Sequence, residues 1–313
     1  MTGRPASLLR EGVYSLAWVK DFYDQTSAWW GPSTDWASHR ARAATLERLA
    51  GTGPKRVLDL GAGPGGNAAA MADLGHDVTA VELSDRASYA RELAAVPRKG
   101  RLTIVQEDFY VVRLEGRFDA VCCWEVFGLG SDADQRRLLG RIAREWLAPS
   151  GCVLMDVYNP ARPARDAGRE QRLSRLPGVP GSVEMTERCH FDPVHARWTD
   201  EWEPADDPRA ALAQTIRCYS PADLLLLLEG TGLDLDTIEV DDHEVIFDDR
   251  IVDAGPLLDS WQYVVKLVPE ASRAATYPSV RPATHRAATR PSTPGDTRRS
   301  TVPRRSTPRP SSS

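Results

Sequence analysis

The sequence predicts an α/β fold in which a doubly wound, mostly parallel sheet carries helices on both faces. Three observations predict it: a glycine-rich loop directly after a short apolar strand, a second strand that ends in an acid, and alternating strand and helix patterns up to about residue 160. In such folds the carboxyl ends of the strands meet at one edge, and a ligand binds across that edge.

The glycine-rich loop begins where the first strand ends. Residues 55–66 read Lys-Arg-Val-Leu-Asp-Leu-Gly-Ala-Gly-Pro-Gly-Gly. Glycine lacks a Cβ and tolerates positive φ, so the backbone at Gly61, Gly63 and Gly65 can approach a ligand closely. A helix predicted from about Gly66 aims its unpaired N–H groups at the same point. We therefore expect a nucleotide-like ligand.

Two ligand classes fit this loop. Gly61-x-Gly63-x-x-Gly66, with Glu82 further along, also matches the dinucleotide fingerprint. Asp59 distinguishes the two, because its carboxylate would repel a pyrophosphate but could take the ammonium of a methionine moiety. With Asp59, the loop resembles that of the class I S-adenosylmethionine (SAM) dependent methyltransferases. The resemblance implies their Rossmann-like, seven-stranded, doubly wound sheet and SAM as the cofactor.

The second and third strands supply the acids that the family uses to bind SAM. Glu82 closes the second strand, and by resemblance it accepts hydrogen bonds from the ribose hydroxyls, with Leu83 against the adenine. A carboxylate suits this role because it can accept several hydrogen bonds. The third strand, 102–106, leads to Asp108, assigned by resemblance to the adenine amino group, and to Phe109 beside the ring.

The fourth strand covers 118–124 and is apolar apart from Asp119, as a strand buried on both faces requires. In relatives its exit lines the space around the transferable methyl group, which implies that Trp124 contacts the cofactor and Glu125 lies near the reaction. An amphipathic helix is predicted over 132–147, and the fifth strand over 152–158.

The N-terminal segment is rich in aromatic residues. Tyr14, Trp18 and Phe22 are spaced as one face of a helix. Small-molecule methyltransferases often fold such a helix over the SAM pocket as a lid, which implies that Tyr23 contacts the cofactor. Arg40 could hold the SAM carboxylate. The alternative is that the aromatic residues only pack a helix onto the sheet.

Residues 183–219 interrupt the alternation of strands and helices. Alternating patterns over 183–191, 197–203 and 211–219 predict an antiparallel meander. Class I methyltransferases insert an acceptor-binding lobe after the fifth strand, which matches this position. The core then resumes with a helix opened by Pro221 and the two last strands.

We predict five segments. They are an N-terminal helical lid (1–50), a SAM-binding core (51–160), an antiparallel acceptor-binding insertion (161–219), the C-terminal part of the core (220–269) and a disordered basic tail (270–313). The tail carries nine arginines and two acids, in a chain whose net charge is −5, and it is nearly free of large apolar residues. It could contact nucleic acid or an acidic partner, or it could be dispensable.

Composition limits the cellular setting. The start of the chain lacks a continuous apolar run, and the longest such run, 224–228, is far shorter than a membrane span. The five cysteines form no CxxC pair, which indicates reduced thiols rather than zinc ligands. Asp156 and Asn159 are not adjacent, so the Asp-Asn pair that helps bind the metal in the catechol-type enzymes is missing at the fifth strand. We expect a cytoplasmic protein without membrane attachment or a catalytic metal; the sequence gives no oligomeric state.

Methyl transfer from a sulfonium is an in-line displacement that depends mainly on positioning. A phenol, alcohol or carbon acid would also need a general base. Five residues are candidates for this base: Glu125, Tyr158, His190, Asp156 and His195. Glu125 ranks first, because in relatives the exit of the fourth strand faces the methyl group. We predict methylation of a small molecule in specialised metabolism, at a nitrogen, oxygen or carbon atom. The insertion lacks the clustered cationic side chains that bind a nucleic-acid backbone. A nucleic-acid or protein methyltransferase that uses the basic tail, and a non-catalytic SAM-binding protein, remain as alternatives.

Overall fold

A computed structural model of the chain describes residues 16–32, 34–245 and 255–272. The predictions for Tyr14 and for most of the tail concern residues outside these ranges. The helices are α1 (Ala17–Trp30), α2 (Trp36–Ala50), α3 (Gly66–Asp73), α4 (Ala87–Ala94), α5 (Asp132–Arg141), α6 (Ala161–Arg165), α7 (Pro221–Leu228) and α8 (Gly255–Asp259). The strands are β1 (Arg56–Leu60), β2 (Asp77–Glu82), β3 (Arg101–Gln106), β4 (Phe118–Cys123), β5 (Leu147–Tyr158), β6 (Glu170–Leu173), β7 (Met185–Asp192), β8 (Arg197–Pro204), β9 (Leu212–Arg217), β10 (Leu233–Val240), β11 (His243–Glu244) and β12 (Gln262–Pro269).

The main sheet has the strand order β11-β10-β12-β5-β4-β1-β2-β3. Strands β1 to β5 pair in parallel, whereas β12 runs antiparallel to both β5 and β10. The predicted α/β fold class is confirmed. The strand count exceeds the expected seven because the two-residue β11 adds to the edge at β10. Strand order reverses at β1, so its carboxyl end lies at a topological switch point, where ligands bind in open α/β sheets.

The core fills both faces of this sheet. One cluster of buried apolar residues joins β4 and β5 to α5 and α7, and a second joins β1 to α2 and α3. Leu46 of α2 and Met71 of α3 are fully buried in the second cluster. These contacts hold α2 and α3 beside the carboxyl end of β1.

The second sheet is antiparallel, in the order β6-β7-β8-β9. It contains the three predicted strands and a fourth, β6, that the sequence pattern did not reveal. Residues that are directly opposite each other share a face, so Cys189, Asp200 and Gln214 lie on one face, and His190, Thr199 and Thr215 lie on the other. This register decides which side chains can reach the first sheet.

The predicted helix over 132–147 divides into two parts. Helix α5 begins with a capping box in which Ser131 and Asp134 exchange hydrogen bonds, and it ends at Arg141. One π-helical turn follows over Ile142–Trp146, and β5 begins at once at Leu147, earlier than predicted. The wider turn accommodates Trp146, which is 1% exposed.

Candidate functional site

A cavity of about 500 Å³ lies at the carboxyl edge of the main sheet. Its walls come from the loops after β1, β2, β3 and β4, from α1 and α2, and from the second sheet. Ten residues predicted to act in the site line it: Tyr23, Gly61, Gly63, Glu82, Leu83, Asp108, Phe109, Trp124, Glu125 and Tyr158. The strand order explains this convergence, because parallel strands end at the same edge.

The glycine loop turns sharply between β1 and α3. Gly63 has a φ of 54° and Gly65 a φ of 84°, both in the left-handed region. A Cβ on Gly63 would meet no protein atom within 4 Å, whereas a Cβ on Gly65 would lie 2.7 Å from the Cβ of Ala90. Gly63 thus leaves room for a ligand, and Gly65 lets the loop pack against α4.

Glu82 ends β2 beneath this loop and is 7% exposed. Its Oε2 accepts a hydrogen bond of 2.7 Å from the backbone N–H of Gly63. Its Oε1 accepts bonds from the backbone N–H of Ser84 at 2.7 Å and from the Ser84 hydroxyl at 2.6 Å. A carboxylate offers about four lone-pair positions, so Oε2 keeps one for a ligand hydroxyl.

The predicted adenine side of the cavity is held by the loop after β3. Asp108 Oδ1 accepts the backbone N–H of Tyr110 at 2.7 Å, which fixes the loop. The rings of Phe109 and Tyr110 are 4.8 Å apart between centroids. Leu83 lines the cavity from the opposite loop. Apolar surface and one carboxylate are thus available to a flat heterocycle.

Asp59 is buried beneath the loop, 1% exposed, and is not part of the cavity wall. Its Oδ2 has no hydrogen-bond partner among the described residues. Burial raises the pKa of Asp59 to about 7; nearby Arg42 opposes this rise, and Glu82 and Asp156 add to it. A buried carboxylate oxygen without a donor fits a cation placed over the loop.

Helix α1 closes one side of the cavity through Tyr23. The Tyr23 hydroxyl donates to Gln214 Oε1 of β9 at 3.2 Å, and the guanidinium of Arg86 lies 5.0 Å from the ring centroid. Burial raises the pKa of Tyr23 to about 12. The next residue, Asp24, accepts the backbone N–H of Asp85 at 2.7 Å through Oδ1. Helix α1 is thus bonded to the second sheet and to the loop after β2.

Aromatic packing adds to these bonds. Trp202 of β8 is 6% exposed and lies between Phe22 and Trp30 of α1, each 5.8 Å from it between ring centroids. Trp202, Trp30 and Gln214 line the cavity. The wall opposite the glycine loop is therefore largely aromatic.

Arg42, rather than the predicted Arg40, faces the cavity from α2. Arg40 is exposed and lies outside the cavity wall. His39 and Arg42 do line it, and Ala43 and Leu46 of the same helix face are buried. Residues 40 and 42 differ by about 200° around a helix of 3.6 residues per turn, so only one of them can face the cavity.

Glu125 and Asp156 share Arg42. Arg42 Nη2 donates to Glu125 Oε1 at 2.7 Å and to Asp156 Oδ2 at 3.2 Å. Asp156 Oδ1 also accepts the backbone N–H of Glu125 at 2.5 Å. Glu125 has a φ of 58°, a strained value for a residue with a Cβ. Burial raises the pKa of Asp156 to about 7, although Arg42 opposes the rise.

The remaining catalytic candidates separate clearly. Tyr158 lines the cavity, but burial raises its pKa well above the ordinary value. Its hydroxyl therefore stays protonated at neutral pH and cannot accept a proton from the acceptor. His190 lies on the face of β7 that also carries Arg188 and its ion pairs, opposite to the face of Trp202 and Gln214. His195 lies in an exposed turn, where its Nδ1 is 2.6 Å from Asp192 Oδ2. Neither histidine lines the cavity.

Several lining residues were not found from the sequence. They are Lys20, His39, Arg42, Arg86, Trp202 and Gln214. The apolar stripe of Ala43 and Leu46 was a signal for His39 and Arg42, since the four positions share one helix face. For Arg86 there was no such signal, because its position depends on the contact with Tyr23.

Two features are absent from the described residues. No helix in those ranges is long and apolar enough to cross a membrane. No group of three or more histidine, cysteine or acidic side chains there is arranged to hold a metal ion.

Comparison with known proteins places this geometry in a family. A family model described as a methyltransferase domain matches residues 35–238. A curated relative, the ubiquinone biosynthesis O-methyltransferase of Thiobacillus denitrificans, is 27% identical over 147 residues, which cover 45% of this chain and 62% of the relative.

Solved structures show the same fold. The CcbJ methyltransferase of Streptomyces caelestis superposes with a TM-score of 0.60 at 24% identity, covering 80% of this chain and 96% of that one. The SAM-bound amino pentose methyltransferase CalS10 of Micromonospora echinaspora gives 0.53 at 18% identity, covering 76% and 92%. Because the family model matches well over half of the sequence, the chain belongs to the methyltransferase-domain family, and its recognition as a class I SAM-dependent methyltransferase is confirmed.

Proposed function

We propose that the cavity binds SAM and that the chain transfers the SAM methyl group to a small-molecule acceptor. The observation that carries the proposal is the convergence of Gly63 and Glu82 at the carboxyl end of β1, with room over the glycine and a free lone pair on the acid. The residues fit the cofactor: Glu82 would hold the ribose, Asp108 and Phe109 the adenine, and the charge of Asp59, beneath the glycine loop, would attract the methionine ammonium.

Small acceptors fit the enclosure better than polymers do. The cavity of about 500 Å³ falls within the usual range for small-molecule sites, roughly 300–1,000 Å³. Helix α1 and the second sheet cover it with Trp30, Tyr23 and Trp202. The aromatic wall would pack against an apolar part of the acceptor, which supports the role proposed for the insertion (161–219).

SAM supplies an electrophilic methyl group on sulfur, and the chain has to align the acceptor with it and exclude water. Glu125 is the group best placed to receive a proton from the acceptor, because its side chain lines the cavity and is 57% exposed. Arg42 and Asp156 hold it there. We propose Glu125 as the general base, with Asp156 and Arg42 as positioning residues. We also propose a cytoplasmic location, which is consistent with five buried cysteines that form no disulfide.

Calorimetric titration of S-adenosylhomocysteine tests the cofactor assignment. Wild type should bind at micromolar concentration, Glu82→Ala at least tenfold more weakly, a loss of about 1.4 kcal/mol. Glu92→Ala is the matched control, because Glu92 is an exposed acid on α4 away from the cavity. Folding of each variant is checked by thermal melting. Failure of folded wild type to bind would refute the proposal.

The acceptor class is tested separately. Release of S-adenosylhomocysteine is measured with panels of small aromatic and amine acceptors, and in parallel with bulk tRNA and casein. Turnover confined to the small molecules is the expected result. Turnover confined to RNA or protein would favour the polymer-directed alternative, and its salt dependence would identify charge-driven binding.

A further inference from the structure

A second cavity of about 470 Å³ lies beside the first at the carboxyl edge of the sheet. It is bounded by the ends of β5 and β10, the beginning of β12, and α2. Because β12 is antiparallel to its neighbours, its first residues lie at the edge where β5 and β10 end. Arg42 and Trp124 line both cavities, so the two meet at these side chains.

The lining of the second cavity is strongly acidic. The carboxylates are those of Asp156, Glu239, Asp241, Asp242 and Asp259. Arg42 pairs with Asp156, and Arg165 pairs with Asp259 at 2.9 Å. Arg48 serves both Glu239 and Asp242. Asp241 is exposed and forms no ion pair within the described ranges. The five lining carboxylates therefore outnumber the three guanidinium groups that pair with them by two.

One buried polar atom in this lining lacks a partner among the described residues. Glu239 is 6% exposed, and while its Oε1 is bonded to Arg48, its Oε2 has no hydrogen-bond donor. An unsatisfied buried polar atom costs about 1–3 kcal/mol. The described residues therefore leave a hydrogen-bond acceptor of this cavity without a donor.

We propose that the second cavity binds a protonated amino group of the methyl acceptor. This proposal rests on the proposed function. An ammonium group supplies three donors, which suit Glu239 Oε2 and the carboxylate of Asp241. The ring of Trp261 also lines the cavity, but the guanidinium groups of Arg162 and Arg169 already lie 5.8 Å from its centroid, so the carboxylates rather than this ring would recognise the ammonium. No described group there has the arrangement of a metal site.

The charge of the bound group limits its role. A protonated amine has no lone pair, so it cannot attack the methyl group. The amino group in the second cavity is therefore an anchor, and the nucleophile is a different group on the same molecule, which extends past Arg42 and Trp124 into the first cavity. The acceptor class is thus a small molecule with at least two functional groups, one of them a basic amine.

The test uses two probes of nearly equal shape, 4-fluorobenzylamine and 4-fluorobenzyl alcohol. Each is titrated, with detection by fluorine NMR, into protein saturated with S-adenosylhomocysteine at neutral pH. We expect the amine to bind wild type at least tenfold more tightly than the alcohol. Asp241→Asn and Glu239→Gln should reduce that ratio below threefold. Glu229→Gln should leave it unchanged, because Glu229 is an exposed acid directly after α7 and lines neither cavity.

Asp241→Asn guards against misfolding, because Asp241 is exposed and asparagine also tolerates its φ of 50°. Equal binding of both probes to wild type would overturn the proposal, as would displacement of the amine by millimolar Mg²⁺ with tighter binding of the metal. The preceding titration of S-adenosylhomocysteine alone reports on the proposed function, so the two failures are distinguishable.

Discussion

Separate alanine substitutions at Gly63 and Gly65 should separate ligand binding from fold stability. Both residues have positive φ, so alanine costs about 1 kcal/mol at either position. At Gly65 the new Cβ would also lie 2.7 Å from the Cβ and 2.9 Å from the Cα of Ala90. Because the Cα belongs to the backbone of α4, it cannot move aside cheaply, and overpacking adds about 1–3 kcal/mol.

The expected loss is therefore about 2–4 kcal/mol for Gly65→Ala and about 1 kcal/mol for Gly63→Ala. For an ordered region of this size, Tm falls by about 2–4 °C per kcal/mol. Gly65→Ala should thus lower Tm by about 4–16 °C, and Gly63→Ala by about 2–4 °C. Binding should show the opposite order, because Gly63 lines the cavity and the Cβ of Gly63→Ala would occupy open space there.

Differential scanning fluorimetry gives the Tm values, and calorimetry at 15 °C gives the affinity for S-adenosylhomocysteine. Gly63→Ala should bind at least tenfold more weakly than wild type, and Gly65→Ala within threefold of it. Equal losses of Tm in the two variants would refute the packing argument. Wild-type affinity in Gly63→Ala would refute the placement of the ligand.

Three further predictions concern other parts of the site. Burial raises the pKa of Asp59 to about 7, above its unfolded value of about 3.9. Between about pH 3.9 and 7 the folded chain therefore binds more protons than the unfolded chain, so this acid makes the free energy of unfolding fall as pH rises through that range. In urea unfolding at pH 5 and 7.5, Asp59→Asn should be stabilised relative to wild type more at pH 7.5 than at pH 5; an unchanged difference would contradict this. Glu125→Gly should raise the free energy of unfolding by about 1 kcal/mol, since it relieves a positive φ and its exposed ion pair contributes little, while turnover falls at least tenfold. Destabilisation, or retained turnover, would count against that role. Trp202→Ala should lower the free energy of unfolding, measured in urea, by about 3–5 kcal/mol, because it opens the contact between α1 and β8. The exposed control Leu226→Ala should stay within about 0.5 kcal/mol of wild type, and equal losses of stability in the two variants would disprove the importance of the contact.

The main sheet was predictable because its signals are local. Each strand is a short apolar run, and the end of β2 is marked by an acid, so the sequence placed Glu82 at the sheet edge without knowledge of the packing. Parallel pairing then brings the ends together whatever the details of the helices. The same argument placed Asp108 and Trp124, which also follow strand ends.

The side walls were less predictable because they depend on rotation and register. Whether Arg40 or Arg42 faces inward depends on how α2 turns about its axis. The outward position of His190 follows from the pairing of β7 with β8, and a shift of one residue would have turned it inward. Arg86 lies in the wall because of its contact with α1, an interaction between segments about 60 residues apart.

The contacts of α1 also bear on the kinetics of the enzyme. Tyr23 is bonded to the second sheet and Asp24 to the loop after β2, so adjacent residues of one helix close the proposed acceptor side and the proposed cofactor side together. A helix of 14 residues moves as a unit, and it cannot release one side while it keeps the other. We therefore expect both products to leave during a single opening event, so that turnover, where opening is slow, is insensitive to the nucleophilicity of the acceptor.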